Sequence, residues 1–343
     1  MSFRRSYFLS IVLFSLIPSI NAWSAKQARP VPELTVLTYD SLMAEGGLGS
    51  DLISRFERRC SCKIKVQTTG DAAQLVSRLQ LEAVRKNFSS HVVLGVDDSL
   101  WRAVRPFALK WMPEARFTHQ VGTGFVPFDY GVLALIWNPS WKGFSGGTPP
   151  SPPRRWRELL DPRWSKKLLL QDPRTSTPGF GFLKGVRAAL GEGFTPYFRS
   201  LRNQWLTLAP GWSGAYDLFL KEEAPLVWSY TSSQAYHRMK ESNSTYQAVV
   251  FDDGNPLQVE GAIIVSSATE KAAVRKLAQE FISFLVSAEI QQLIPVRQWM
   301  FPAVEGIKLP PDFQSIPKPT KVFSSDDAVD MKQLLSDWEF AIR

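Results

Sequence analysis

Two long apolar stretches frame this chain: FVPFDYGVLALIW from Phe125 to Trp137, and PLQVEGAIIVS from Pro256 to Ser266. Both are rich in β-branched and aromatic residues and read as strands. The first, with Pro127 near its start, runs into a Pro-, Gly- and Ser-rich tract from Gly143 to Pro153 and then into WRELLDPRW, so the chain changes character there. A chain that crosses out on one strand and returns on another builds one lobe from two separated segments and a second from the segment between. The expected division is 26–128 with 262–300 for lobe 1 and 129–261 for lobe 2. Residues 301–343, with a helix expected from Asp326 to Ile342, form a C-terminal segment whose lobe is left open. At 343 residues the chain is long enough for two separate cores.

Before the first crossing the pattern alternates. LTVLTY (34–39) reads as a strand that stops at Asp40 and Ser41, and the Gly-rich GGLGS leads into the amphipathic LISRFERRC. Strand KIKVQT follows, then Gly70 and Asp71, helix AAQLVSRLQLEAVR, and strand HVVLGVD ending at Asp97 and Asp98. Connections this long do not make hairpins, so the segment predicts a parallel sheet covered by helices, an α/β lobe. Ligands of parallel sheets gather at the carboxyl ends of the strands, and Tyr39 and Asp97 stand at such ends.

QDPRTSTPGFG (171–181) packs turn and helix-start residues together. Ser176 and Thr177 suit an N-cap, and Pro178 suits the first helical position because its missing N–H needs no partner there. The helix FGFLKGVRAAL would then aim free N–H groups back past Ser176, a natural anion site; an ordinary capped helix is the plainer alternative. Further on come an amphipathic helix around Phe194 to Trp205, GWSGAYDLFLKEE, a strand from Leu226 to Ser232, and the helix KAAVRKLAQEFISFLVS.

The net charge of +8 comes from basic residues dispersed through helices that also carry Glu, which is a solvated-face pattern, and no nucleic-acid module accompanies it. Twelve Trp suggest that some line a site for a flat ligand. GGLGS lacks dinucleotide-loop spacing, no P-loop occurs, and neither GFSGG near Ser145 nor GWSGA near Ser213 is a G-x-S-x-G elbow. His91, His119 and His237 lie far apart, so no metal site is expected. Cys60 and Cys62 either form a small disulfide or remain reduced at a helix–strand junction. Arg4 and Arg5 precede an apolar run from Tyr7 to Ile20, with cleavage positions at Ala22 and Ala25. This is the layout of a secretory signal peptide over residues 1–25, with a run too short for a comfortable membrane span.

LTYDS (37–41), VLGVDD (93–98), FVPFDYG (125–131), QDPRTSTPG (171–179), GWSGAY (211–216), LFLK (218–221), SYTSSQAYH (229–237) and QWMFPA (298–303) resemble the periplasmic thiamine-binding proteins of bacterial thiamine ABC transporters. The blocks cover nearly all of the chain after the signal segment, in order. The resemblance implies a type II periplasmic-binding-protein fold, two α/β lobes joined by two hinge strands, with the ligand in the cleft. It implies a periplasmic, monomeric, non-enzymatic protein that captures thiamine or its phosphate esters and docks on a membrane permease served by an ATPase subunit. No cofactor is implied. Carried over residue by residue, the aromatic site positions are Tyr39, Trp212, Tyr230, Tyr236 and Trp299. Asp71 matches an acidic position that helps orient the ligand, and Ser176 the hydroxyl at its phosphate end. Thr175, Thr177 and Asp97 are weaker candidates. Tyr236 and Trp299 are expected to sandwich the pyrimidine, with Trp212 and Tyr230 lining the cleft.

Two positions depart from the family pattern: Gly46 stands where a tryptophan is frequent, and Ala72 where a glycine is frequent. Both touch the first-lobe side of the pocket and bear on the preference among thiamine and its phosphates. The alternatives are a binding protein for iron, a polyamine or an organophosphonate, and a thiamine-cleaving enzyme of the same fold, which would need a cysteine nucleophile in the cleft.

Overall fold

A computed structural model describes residues 31–144, 148–324 and 330–343. The expected signal peptide, the GFSGG tract at Ser145 and the start of the predicted C-terminal helix at Asp326 lie outside them. The described chain runs β1 (Glu33–Tyr39), α1 (Leu48–Cys60), β2 (Lys63–Thr69), α2 (Ala72–Val84), β3 (Val92–Asp97), the short α3 (Trp101–Val104) and β4 (Val126–Trp137). It continues with β5 (Leu168–Gln171), α4 (Thr177–Leu190), α5 (Phe194–Leu201), β6 (Trp205–Ala209), α6 (Trp212–Leu220), β7 (Leu226–Tyr230), α7 (Ser233–Glu241), β8 (Gln247–Val249) and β9 (Asn255–Ile264). After these come α8 (Ala272–Leu285), the one-turn α9 (Ala288–Gln291), β10 (Phe301–Pro302), the one-turn α10 (Pro311–Gln314), β11 (Val322–Phe323) and α11 (Met331–Ile342).

The strands join in the order β2-β1-β3-β9-β4-β7-β5-β6. β1 pairs in parallel with β2 and β3, and β5 in parallel with β6 and β7. Between these parallel flanks lie the two long strands, antiparallel to each other and to β3 and β7. The first half of β4, from Val126 to Val132, pairs with β9, and its second half, from Leu133 to Trp137, with β7. β9 in turn meets β3 from Glu260 to Ile264. The flanks are thus joined through the pairing of β4 with β9, β4 carrying β7 and β9 carrying β3, and the expected boundaries at Phe128/Asp129 and Gly261/Ala262 fall inside β4 and β9.

Helix α1 buries Leu48, Leu52 and Phe56, and Phe56 meets Phe281 and Phe284 of α8 at centroid distances of 5.2 and 5.7 Å. Cys60 and Cys62 form a disulfide across the left-handed Ser61, closing the junction from α1 into β2. The core around β7 is aromatic. Trp156 is fully buried against Phe182, Trp228 and Phe251, at 5.1, 5.5 and 4.5 Å between centroids. Its indole Nε1–H donates to Gly254 O at 3.0 Å.

Two local expectations change, and one strand is new. The helix expected from Phe194 to Trp205 ends at Leu201, and Trp205 opens β6. The apolar positions Phe194, Tyr197, Phe198 and Leu201 keep helical spacing, but the edge of β5 offers WLTLA parallel pairing, and tertiary pairing overrides local period. LLLQ, too short and uniform to read alone, becomes β5, buried at every position. Pro178 sits second rather than first in α4, and Ser176 is the N-cap residue without a side-chain cap hydrogen bond. The C-terminal helix α11 packs on the segment between the long strands: Arg187 donates to Asp337 at 2.6 Å, and the Arg174 guanidinium lies 5.5 Å over the Trp338 ring.

Trp156→Ala removes the centre of this aromatic core and leaves the Gly254 carbonyl unpaired. A loss of about 3–5 kcal/mol is expected in urea unfolding; a loss under about 1 kcal/mol would show that the surrounding rings collapse into the space.

Candidate functional site

The expected ligand residues come from widely separated elements and are gathered by the two parallel flanks. Tyr39 closes β1, and its hydroxyl donates to Glu260 Oε2 at 2.6 Å while accepting from Gln298 Nε2 at 2.6 Å. The ring lies on Gly95, whose φ of +95° belongs to glycine and where a Cβ would overlap the ring. Tyr230 closes β7 and is buried. At Gly131 of β4 a Cβ would come within 2.7 Å of its Cδ1, so glycine is what lets ring and strand meet.

Asp71 is the N-cap of α2, its Oδ1 accepting from Ala72 N–H at 2.6 Å. The same oxygen takes Thr177 N–H of α4 at 3.4 Å, and Trp212 N–H at the start of α6 also faces it. One carboxylate thus stands before three helix N-termini. Burial pushes its pKa up to about 6, against the pull of those N–H groups. Ser176 is 1% exposed; its hydroxyl faces the Asp71 carboxylate and lowers its pKa, but it meets no partner within 3.5 Å among the described residues. Thr177 Oγ1 accepts from Gln258 Nε2 at 3.4 Å. The Thr175 hydroxyl instead donates to Pro210 O at 2.6 Å, tying the loop before α4 to the loop before α6.

Trp212 is the first residue of α6 and is held from two sides. Its Nε1–H donates to Ser229 Oγ at 2.8 Å, and its ring stacks on Tyr216 at 4.8 Å and 19°. Tyr216 stacks in turn on His237 at 5.8 Å and shares a 2.7 Å hydrogen bond with His237 Nε2, while His237 Nδ1 meets Glu241 at 2.6 Å. Burial lowers the His237 pKa against the raising effect of Glu241.

Tyr236 and Trp299 do come together, but not as a slot. Their rings touch edge to face, with centroids 4.8 Å apart and planes at 84°. A flat ligand between parallel faces needs roughly 7 Å, twice an aromatic contact distance. The expected sandwich therefore requires the pair to part. Trp299 has φ +59°, a left-handed backbone that costs a non-glycine residue about 1–2 kcal/mol. It precedes β10, whose pairing with Asp129 and Tyr130 of β4 brings Gln298 and Trp299 to the site.

Asp97 closes β3, is 2% exposed, and accepts from Ser99 N–H at 2.7 Å and from the Ser99 hydroxyl. Burial and the neighbouring Asp98 push its pKa up to about 7. The site also holds groups that reading the sequence missed: Asp129 on β4, and Gln258 and Glu260 on β9, all buried. Their signal was visible as a charge standing inside an otherwise apolar strand, in FVPFDYG and in LQVEGAII, where a buried polar residue is the informative exception. Gly46 lies in the loop before α1 with open space around it, and Ala72 is buried at the start of α2. A separate surface hollow of about 520 Å³ between α1 and α8, lined by Phe56, Arg59, Cys60 and Lys276 among others, contains none of the expected ligand residues. Among the described residues no group of three or more His, Cys, Asp or Glu is arranged to hold a metal ion.

The family model for bacterial extracellular solute-binding proteins matches residues 85–327. Thiamine-binding periplasmic proteins of Brucella abortus and Escherichia coli are each 36% identical to this chain. The first match covers 91% of both chains, the second 92% of this chain and 94% of the relative. A solved periplasmic thiamin binding protein superposes with a TM-score of 0.83 at 33% identity, over 92% of this chain and 98% of that one. An iron-bound protein from Pseudomonas aeruginosa, at 19% identity and a TM-score of 0.71, shares the fold. The matching family model and relatives aligned over nine-tenths of their length establish that the chain belongs to the bacterial extracellular solute-binding proteins, in the family of periplasmic thiamine-binding proteins.

Proposed function

We propose that this protein captures thiamine and its mono- and diphosphate esters in the cleft between two lobes, 26–128 with 262–300 on one side and 129–261 on the other. It then delivers them to a membrane permease driven by an ATPase subunit. In this reading it works as a monomer in the periplasm, after loss of an N-terminal signal peptide, and carries out no reaction. The observation that carries the proposal is the edge-to-face contact of Tyr236 with Trp299, next to the Gln298 that bonds Tyr39, together with the buried Ser176 hydroxyl that faces Asp71 at the start of α4.

Thiamine joins a flat aminopyrimidine to a cationic thiazolium ring. Flat and cationic parts suit aromatic faces, where a cation–π contact contributes about 0.5–2 kcal/mol. In this reading the pyrimidine displaces the edge-to-face contact of Tyr236 and Trp299, while Trp212 and Tyr230 line the remainder. The hydroxyethyl or phosphate end meets Ser176 and the N–H groups of α4, since hydroxyls and free helix N–H groups suit an anion. Pairing of Cys60 with Cys62 leaves both thiols committed, which favours a carrier over a thiol-dependent cleaving enzyme.

Titration calorimetry of unfolded and refolded, ligand-free protein tests the reading; no heat of binding for thiamine well into the micromolar range would reject it. Trp299→Ala and Tyr236→Ala are each expected to weaken thiamine by about 1–3 kcal/mol, and unchanged affinity would remove that ring from the site. Ser176→Ala is expected to weaken the phosphate esters more than thiamine itself, and equal losses for both would refute the assignment of the phosphate end.

A further inference from the structure

The register of the central strands places three carboxyl groups in one row. Glu260 of β9 is directly opposite Asp97 of β3 on one side and Asp129 of β4 on the other. Residues directly opposite in adjacent strands share a face, and like charges there oppose each other. Irregularities in register stand beside both partners, between Leu94 and Val96 and between Pro127 and Asp129, the kind of local bulge that re-aims a side chain. The row is buried: Asp129 is fully inaccessible and Asp97 and Glu260 nearly so.

Its polar environment is incomplete. Glu260 accepts from Tyr39, and its other oxygen takes Gln258 Nε2 at 3.3 Å. Both Asp129 oxygens and Gln258 Oε1 are buried with no partner within 3.5 Å among the described residues, with the Gln298 amide facing Asp129 from beyond that distance. The ionisable groups facing the row are Tyr39 on β1, Asp98 after β3, Tyr230 on β7, Asp71 before α2 and Lys184 on α4. Lys184 is the cation among them, and it faces Asp97 rather than Glu260. A buried row of acids with, among the described residues, Lys184 as the cation at its edge is a cost to the fold. Gln258 links Glu260 to Thr177 at the start of α4, so the row is continuous with the candidate ligand site.

We propose that Glu260, flanked by Asp129 and Asp97, is the counter-charge for the cationic ring of the ligand, and that the row releases a proton to solvent as the cation arrives. The inference rests on the thiamine reading above. Like-charged neighbours in one enclosure cannot all ionise, and a permanent cation beside them lets one more do so. The pKa directions agree: burial pushes Glu260 up to about 8 and Asp129 well above the usual carboxylate range. The free row is therefore largely protonated near neutrality. Because ionised carboxylates bind the cation better, affinity rises with pH through the range in which Asp97 and Glu260 titrate, about 7 to about 8.

Calorimetry with thiamine and with its uncharged thiophene isostere, carbon replacing the ring nitrogen, tests this on the full chain. Wild type is expected to bind thiamine about tenfold or more tighter than the isostere. Titrations at neutral pH in buffers of different ionisation enthalpy are expected to show proton release. Glu260→Gln keeps an acceptor for Tyr39; it should weaken thiamine about tenfold, leave the isostere within about threefold, and reduce the proton release. Asp129→Asn should act in the same direction, with circular dichroism and melting confirming that both variants fold. Variants that bind thiamine like wild type, or lose both ligands equally, would overturn the proposal, as would a wild type that releases no proton. A wild type that binds the two ligands alike removes the counter-charge alone, whereas one that binds neither removes the thiamine reading as well.

Discussion

The antiparallel pairing of β4 with β9 is the constraint from which the rest of the molecule follows. Each flank is an ordinary parallel sheet, and β1, β3 and β7 end at Tyr39, Asp97 and Tyr230. Separately these would be two unconnected sets of strand ends. Because Val126–Val132 pairs with β9 while Leu133–Trp137 pairs with β7, the ends are brought to a common centre. β10 adds to the same stretch of β4 and delivers Gln298 and Trp299. The pairing that joins the flanks is thus also what positions the candidate site, and buried acids are tolerated within it because the apolar remainder of both strands supplies the packing.

Local conformational costs accumulate at the same place. Trp299 holds a left-handed backbone, Gly95 and Gly131 lack the side chain that would displace Tyr39 or Tyr230, and Ser176 buries a hydroxyl at a helix start with no close partner among the described residues. None of these helps the chain fold. Sequences ordinarily remove such conflicts, so their clustering marks a region shaped by something other than stability. The stacked series Trp212, Tyr216 and His237 shows the complementary principle, a face held rigid from behind by stacking and hydrogen bonds so that little rotamer freedom remains to be lost on contact.

Much of the fold is legible in the chain because its signals are local or periodic. Alternating strand and helix patterns mark the first flank, and two long apolar stretches mark the crossings. What escapes is set by partners distant in sequence: Trp205 abandons helical spacing for the edge of β5, and LLLQ becomes a strand because β6 and β7 flank it. The candidate site divides in the same way. Strand ends and the helix start at Ser176 can be read from position, and the aromatic positions by resemblance to a family. Glu260 and Asp129 leave a weaker trace, a single charge in an apolar strand, whose meaning is complete only when register sets it against another charge. The edge-to-face contact of Tyr236 and Trp299 depends on a backbone conformation at Trp299 that its residue type disfavours, so no propensity could announce it.

Asp71 brings these threads together. It lies before the first crossing, whereas Thr177 and Trp212, whose N–H groups face its carboxylate, lie after it. The chain therefore supplies its own anion to helix starts that would otherwise present unpaired donors to the cleft. That arrangement makes the two ends of the site electrostatically different. At the row of Asp97, Glu260 and Asp129 a cation relieves repulsion that is already present, whereas at Asp71 an anionic ligand group must share or displace an anion already satisfied. A ligand that carries a permanent positive ring, with or without a phosphate, gains at the first end. Phosphorylation adds to that gain to the extent that Ser176 and the α4 N–H groups outweigh repulsion from Asp71. With its pKa pushed up to about 6, Asp71 sits close enough to neutrality for protonation to reduce that repulsion at modest cost. On the proposed reading, discrimination between thiamine and its esters falls at the helix start, and recognition of the cation on β4 and β9.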